Sequence, residues 1–349
     1  MTKDTSRELK GAAILLMIWL HLFSSEAVIQ QYTPLLYFWN GDPLPYVLRK
    51  VCSMCVPIYA FIGGYGLAKT NLPHLSGGRH KRLNAIRALT LYANFWIVFV
   101  LFFPLGAALN PDVFLAPAQE IVCNFLALSV TMNGAWWFLL PYAVLTLLSG
   151  YITKWMYGLA PGKEAAALAA AFALNVLAYV GEKTTVSDIR LVQLLYENVA
   201  RVGLIAFMFM AGISFAKHGW ADKIYGTLRK RRRPDTILAL TAAALIIIKM
   251  CIGATSLINP WFVFVLVPCY AMAARGPRVR GFFAFFGRHN TNMWLTHFFF
   301  IHYIFSGTAY ALRYSVLIFA AVVAATLASS YVVDLLNKPA RRAIGRLRG

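Results

Sequence analysis

Apolar runs of about 18 to 22 residues recur along the whole chain, and a hydrocarbon core about 30 Å thick needs about 20 helical residues to cross it. Backbone N–H and C=O groups find no water in lipid, so runs of this kind must be α-helices that satisfy themselves. Of the 349 residues only 13% are charged and 60% are hydrophobic, whereas soluble domains carry about a quarter charged residues. A soluble fold is thereby excluded. The chain reads as an all-α, polytopic membrane protein, one membrane-embedded domain over residues 1–349.

Ten spans are expected, near residues 11–28, 51–68, 88–107, 136–153, 165–181, 199–216, 236–256, 260–274, 289–306 and 314–336. The net charge of +20 is distributed by loop. The amino-terminal tail, stretches 69–87, 154–163, 217–233 and 275–288, and the tail from Lys338 hold 26 of the 33 Lys and Arg, including "RKRRRP" at 229–234. The intervening loops hold six basic residues against seven acidic ones. By the positive-inside rule both termini are expected in the cytoplasm. The charge therefore reports topology and contact with anionic lipid, not nucleic acid. The first run is retained as a helix, because removing it would place every basic loop outside. The longest outer loop, 108–135, contains the weakly amphipathic "AQEIVCNFLALSV".

Ionisable groups at membrane depth are costly and mark candidate functional sites. In "RELKGAAILLMIWLHLF", residues 7–23, Lys10 and His21 stand eleven residues apart. In an α-helix that separation is a rise of about 16 Å and three turns plus roughly 20°, so the two share one face. Lys10 falls at the inner boundary and His21 towards the outer leaflet. A second cluster lies in "GRHNTNMWLTHFFFIHY", 287–303, where His289, Asn290, Thr291 and Asn292 are expected to open and cap the ninth helix. His297 and His302 differ by about 140° around that helix and make a poor metal pair. With seven histidines and no H-E-x-x-H, no metal site is expected. Cys52 and Cys55 form C-x-x-C inside an apolar span and read as small core residues.

The opening stretch resembles the first helix of the acyltransferase type 3 family of integral-membrane acyltransferases, whose signature is a basic residue, ten others and a His. Lys10 and His21 match it with Lys in place of Arg. "CVPIYAFIGGYGLAKT", 55–70, is similar to the family's second helix, with Gly63–Gly64 where Ser-Gly is usual. "RHKRLNAIRALTLYANFW", 79–96, resembles the Arg-x-x-Arg entry to the third, either as Arg79–Arg82 or with Arg87 as its second Arg. "NGAWWFLLPYAVL", 133–145, matches a Trp-Phe-Leu segment at Trp137 and Phe138, and "FFGRHNTNMWLTH" has Asn290 where the family has Ser. The resemblance runs from residue 7 to about 305, without the appended hydrolase-like domain of some members.

The resemblance implies transfer of an acyl group, usually acetyl, from cytoplasmic acyl-CoA to a hydroxyl of an extracytoplasmic glycan at the cell membrane. No bound cofactor is implied; acyl-CoA is the donor substrate. Lys10, Arg79, Arg82 and Arg87 are the expected contacts for the CoA phosphates, and His21 the catalytic base or nucleophile. His297 is expected beside the reacting carbonyl, with Asn290, Trp137 and Tyr59 as possible acceptor or oxyanion contacts. Two other functions fit a polytopic chain of this kind: a glycan exporter, or a coupled transporter relaying protons through His21, Lys249 and His297.

Overall fold

The computed structural model describes residues 1–253 and 257–347. Its fifteen α-helices are α1 (Lys3–Leu22), α2 (Leu44–Cys52), α3 (Cys55–Asn71), α4 (Arg79–Leu109) and α5 (Pro111–Phe114), then α6 (Ala118–Phe125), α7 (Leu139–Gly158), α8 (Pro161–Gly181), α9 (Arg190–His218) and α10 (Trp220–Leu228). The chain continues with α11 (Pro234–Cys251), α12 (Asn259–Met272), α13 (Pro277–Phe299), α14 (Ser315–Leu336) and α15 (Lys338–Arg346). No β-strand occurs among the described residues. Every expected span falls on a helix. The last residues of the seventh, 254–256, and the end of the basic tail, 348–349, lie outside the described residues.

Seven helical stretches among the described residues are long and apolar enough to cross a membrane unaided. The other three of the expected ten are α1, α12 and α13. Helix α12 is short at 14 residues, while α1 and α13 carry the polar residues that lower their hydropathy. Several boundaries differ from expectation, and α4 and α9 start at Arg79 and Arg190 where residues 88 and 199 are expected. Helix α1 starts at Lys3 and stops at Leu22, not residue 28. The second span is broken at Ser53 and Met54, which separates Cys52 on α2 from Cys55 on α3. The ninth helix begins at Pro277, so His289 to Asn292 sit in its interior and cap nothing. The basic residues Arg278, Arg280 and Arg288 masked its first half as a loop.

Two close helix crossings set the architecture. Helices α1 and α13 meet backbone to backbone, because a Cβ at Gly11 would overlap the Phe283 carbonyl and one at Gly287 the Arg7 carbonyl. Helices α3 and α9 cross in the same reciprocal way, Gly64 against Phe209 and Gly212 against Phe61. Small residues at crossings are how helices approach closely in lipid, where apolar burial gives no net drive.

The basic segments converge on the end of the bundle where α1 begins. Glu8, 1% exposed, accepts from Arg275 Nε at 3.0 Å, Arg280 Nε at 3.3 Å and the Tyr270 hydroxyl at 3.1 Å. Lys217 donates to Glu164 at 2.6 Å and to the Met156 and Leu159 carbonyls. Arg341 of α15 pairs with Asp334 at 2.6 Å, and Ile344 packs on Ile86 and Ala93 of α4. At the opposite end, Glu120 on α6 binds Arg190 through Nε at 3.2 Å and Nη2 at 3.0 Å, with Ser129 and Thr131 also donating to it. Burial alone would raise the Glu120 pKa, but the Arg190, Ser129 and Thr131 hydrogen bonds outweigh it and hold the carboxyl below its ordinary value.

Candidate active site

Three cavities, each sharing lining residues with the next, run along the Lys10–His21 face of α1. The first opens at the basic end, with a volume of about 340 Å³, and Lys3, Arg7, Lys10 and Lys69 supply its cations. The second is a constriction of about 70 Å³ between Lys10, Tyr59, Leu91, Tyr142, Asn290 and Thr291. Lys10 and Asn290 belong to both. The third, about 320 Å³, holds His21, and Met17, Phe138 and Trp294 are common to it and the constriction. A single helical face thus carries a lysine where the first two cavities meet and an imidazole in the third.

Packing explains why the passage has this course. The Gly11–Gly287 crossing draws α1 and α13 together at the basic end and leaves Asn290 beside Lys10. Tyr59 donates to the Lys10 backbone carbonyl at 3.1 Å, tying α3 to α1 at the narrowest point. A Cβ at Gly63 would lie 2.9 Å from the Tyr142 hydroxyl, so the glycine leaves room for this tyrosine to line the constriction. Around His21, two indoles clasp the wall: Trp136 donates to the Leu295 carbonyl and Trp294 to the Ala135 carbonyl, both at 2.9 Å. That clasp holds the 3₁₀ turn Gly134–Phe138 against α13, and Trp137 of the same turn lines the cavity.

His21 and His297 are brought together with ring centroids 5.0 Å apart. His297 is 0% exposed, and its Nδ1 lies 2.7 Å from the Trp294 carbonyl oxygen. A carbonyl can only accept, so this contact places the ring hydrogen on Nδ1 and leaves a lone pair on Nε2. That Nε2 has no hydrogen-bond partner among the described residues. The His302 ring lies 4.0 Å from that of Phe298, centroid to centroid, tilted by 40°. Among the described residues no three His, Cys, Asp or Glu side chains are grouped to hold a metal.

The other expected residues divide. Lys10 lines the passage, and its ammonium makes no hydrogen bond or ion pair among the described residues. Asn290 and Tyr59 line the constriction and not the His21 cavity, and Asn290 Nδ2 donates to the Gly287 carbonyl at 2.5 Å. Arg79 and Arg82 are exposed on α4 and line none of the three cavities. Arg87 donates to Asn71 at 3.0 Å and Asn84 at 2.5 Å, bridging α3 to α4. Lys249 donates to the Gly253 carbonyl at 3.1 Å and lines none of these cavities, apart from both histidines of the expected relay. Sequence reasoning passed over Lys3, Arg7 and Lys69 at the mouth, and Cys55, Asn175 and Glu182 around His21.

A family model described as an acyltransferase domain matches residues 9–335, nearly the whole chain. No curated protein and no solved structure is matched. The match begins within α1 and ends in the last turn of α14, taking in Lys10 and His21 while Lys3 and Arg7 precede it. The chain belongs to the acyltransferase type 3 family and is a multi-pass membrane acyltransferase.

Proposed function

We propose that the protein is a plasma-membrane O-acyltransferase that moves a short acyl group, acetyl by preference, from cytoplasmic acyl-CoA to a hydroxyl of an extracytoplasmic glycan. One observation carries this reading: the cavities that share residues from the basic mouth to His21. With both termini in the cytoplasm, Lys3, Arg7, Lys10 and Lys69 face the compartment that holds acyl-CoA. Their cations suit its diphosphate and 3′-phosphate, and the pantetheine arm passes Tyr59, Tyr142 and Asn290 to bring the thioester about 16 Å up α1.

In the upper cavity a neutral His21 imidazole takes the proton of the acceptor hydroxyl as its oxygen attacks the thioester carbonyl. The tetrahedral intermediate collapses by breaking the C–S bond. The CoA thiolate leaves and recovers the proton from His21, so the imidazole returns neutral. His297 acts through His21 in this reading: its Nε2, left with a lone pair by the Nδ1–Trp294 contact, accepts a ring N–H from His21 and holds the catalytic ring in one tautomer, and the 5.0 Å between the ring centroids supports the pairing.

The test compares O-acyl content of the surface glycans in cells with the gene, without it, and complemented with His21→Ala. Acylation lost on deletion, restored by the wild-type gene and not by His21→Ala supports the proposal. Unchanged O-acyl content on deletion, with glycan export impaired, would replace it with the exporter reading.

A further inference from the structure

The two ends of the passage are opposite in charge. Four basic side chains line the mouth, whereas Glu182 is the one lining residue of the His21 cavity among the described residues that carries a fixed charge, and it is acidic. Among the described residues its one ion-pair partner, Arg201, stands 3.7 Å away and is shared with Glu197 at 3.2 Å, so one positive charge serves two carboxylates. On the same wall Asn175 of α8 lines the cavity at 5% exposure. Its Nδ2 donates to the Leu204 carbonyl at 2.5 Å, and its Oδ1 has no hydrogen-bond partner among the described residues. A buried carboxamide oxygen without a donor is costly to keep and is satisfied by a ligand that brings one. Trp137 lines the same cavity, as do Ser53 and Asn259, locked to each other by hydrogen bonds of 3.2 and 3.0 Å at the α2–α3 break.

We infer that the Asn175–Glu182 wall is the acceptor subsite, and that it selects a polyhydroxylated ring that is uncharged or carries an amine over one that carries a carboxylate. Asn175 Oδ1 and the Glu182 carboxylate accept hydrogens from ring hydroxyls, and Trp137 offers an apolar face to the ring. The net negative field of Glu182, Glu197 and Arg201 repels a uronate. The subsite's role as acceptor site rests on the acyl-transfer proposal above; its preference among sugars does not.

The experiment titrates the intact protein in nanodiscs with methyl β-glucoside, glucosamine and glucuronate, read by tryptophan fluorescence, and measures CoA release from acetyl-CoA on the same preparation. Glucoside and glucosamine bind saturably, and glucuronate binds about tenfold more weakly. Glu182→Gln closes most of that gap, and Asn175→Ala weakens every sugar about fivefold, as expected for one lost hydrogen bond. Should Asn175→Ala fail to reach the membrane, the isosteric Glu182→Gln decides alone. Glucuronate binding as tightly as glucoside, the gap surviving in Glu182→Gln, or no sugar binding at all overturns the inference. Sugar binding as stated without any consumption of acetyl-CoA leaves the subsite standing and removes the transfer proposal. Transfer to an acceptor whose KM is unchanged in both variants removes the subsite alone.

Discussion

The His21 and His297 rings lie 5.0 Å apart, centroid to centroid, on two helices that cross at Gly11 and Gly287. Only His21 lines the cavity; His297 stands behind it, fully buried. The two substitutions should therefore differ in kind. His297→Ala is expected to lower kcat with little change in KM for either substrate, and to shift the pH profile of kcat, because the tautomer of His21 is no longer held. His297→Gln, which keeps an acceptor, should recover part of the rate. Steady-state kinetics at several pH values checks this, and unchanged kcat in His297→Ala would remove the pairing from the mechanism.

The Lys10 ammonium, without a hydrogen bond or ion pair among the described residues, stands at the junction of mouth and constriction. Lys10→Ala should raise the KM for acyl-CoA about tenfold, in keeping with loss of one charge-assisted phosphate contact, while Lys10→Arg is tolerated. The mouth cations Lys3, Arg7 and Lys69 should give smaller rises, each reduced by salt because all are open to solvent. Arg82→Ala, on an exposed helix face outside the cavities, should leave the KM near the wild-type value. Donor titrations at low and high salt distinguish these.

Glu8 is buried against Arg275 and Arg280 and joins α1 to the start of α13. Removing one partner of a buried ion pair costs about 3 to 5 kcal/mol, because the other charge stays behind. Glu8→Ala should therefore reduce the amount of folded protein extracted in mild detergent and lower its Tm. Arg280→Ala, whose side chain is half-exposed, should do so far less. Size-exclusion profiles and thermal unfolding in detergent give the comparison.

Glu120 supplies a pH dependence with a definite sign. Its folded carboxyl titrates below the ordinary value of 4.5, so the bonds to Arg190, Ser129 and Thr131 contribute stability above that pH and lose it as the pH falls through the lowered value. Glu120→Gln should be less stable than wild type near neutrality and indistinguishable from it in strong acid. Chemical unfolding of both proteins across that range checks the sign.

How much of this was readable from the chain depends on the range of the interaction. Lys10 and His21 are linked by helical period alone, so their shared face needed no tertiary information. The meeting of His297 with His21 depends on a crossing of helices far apart in sequence, and the His289–Asn292 stretch was misplaced because arginines made the first half of α13 resemble a loop. Lys3, Arg7 and Lys69 read as topology charges until the fold drew them around one opening. Asn175 and Glu182 carry no local motif; only the α8–α9 packing turns them into a wall.

The most direct test of the central claim measures transfer of labelled acetyl from acetyl-CoA to the glycan fraction by membranes containing wild type or His21→Ala, with CoA binding measured in parallel. A loss of at least about 100-fold in transfer, on the scale of general-base catalysis, with CoA binding intact is the predicted result. Full transfer by His21→Ala would contradict the account.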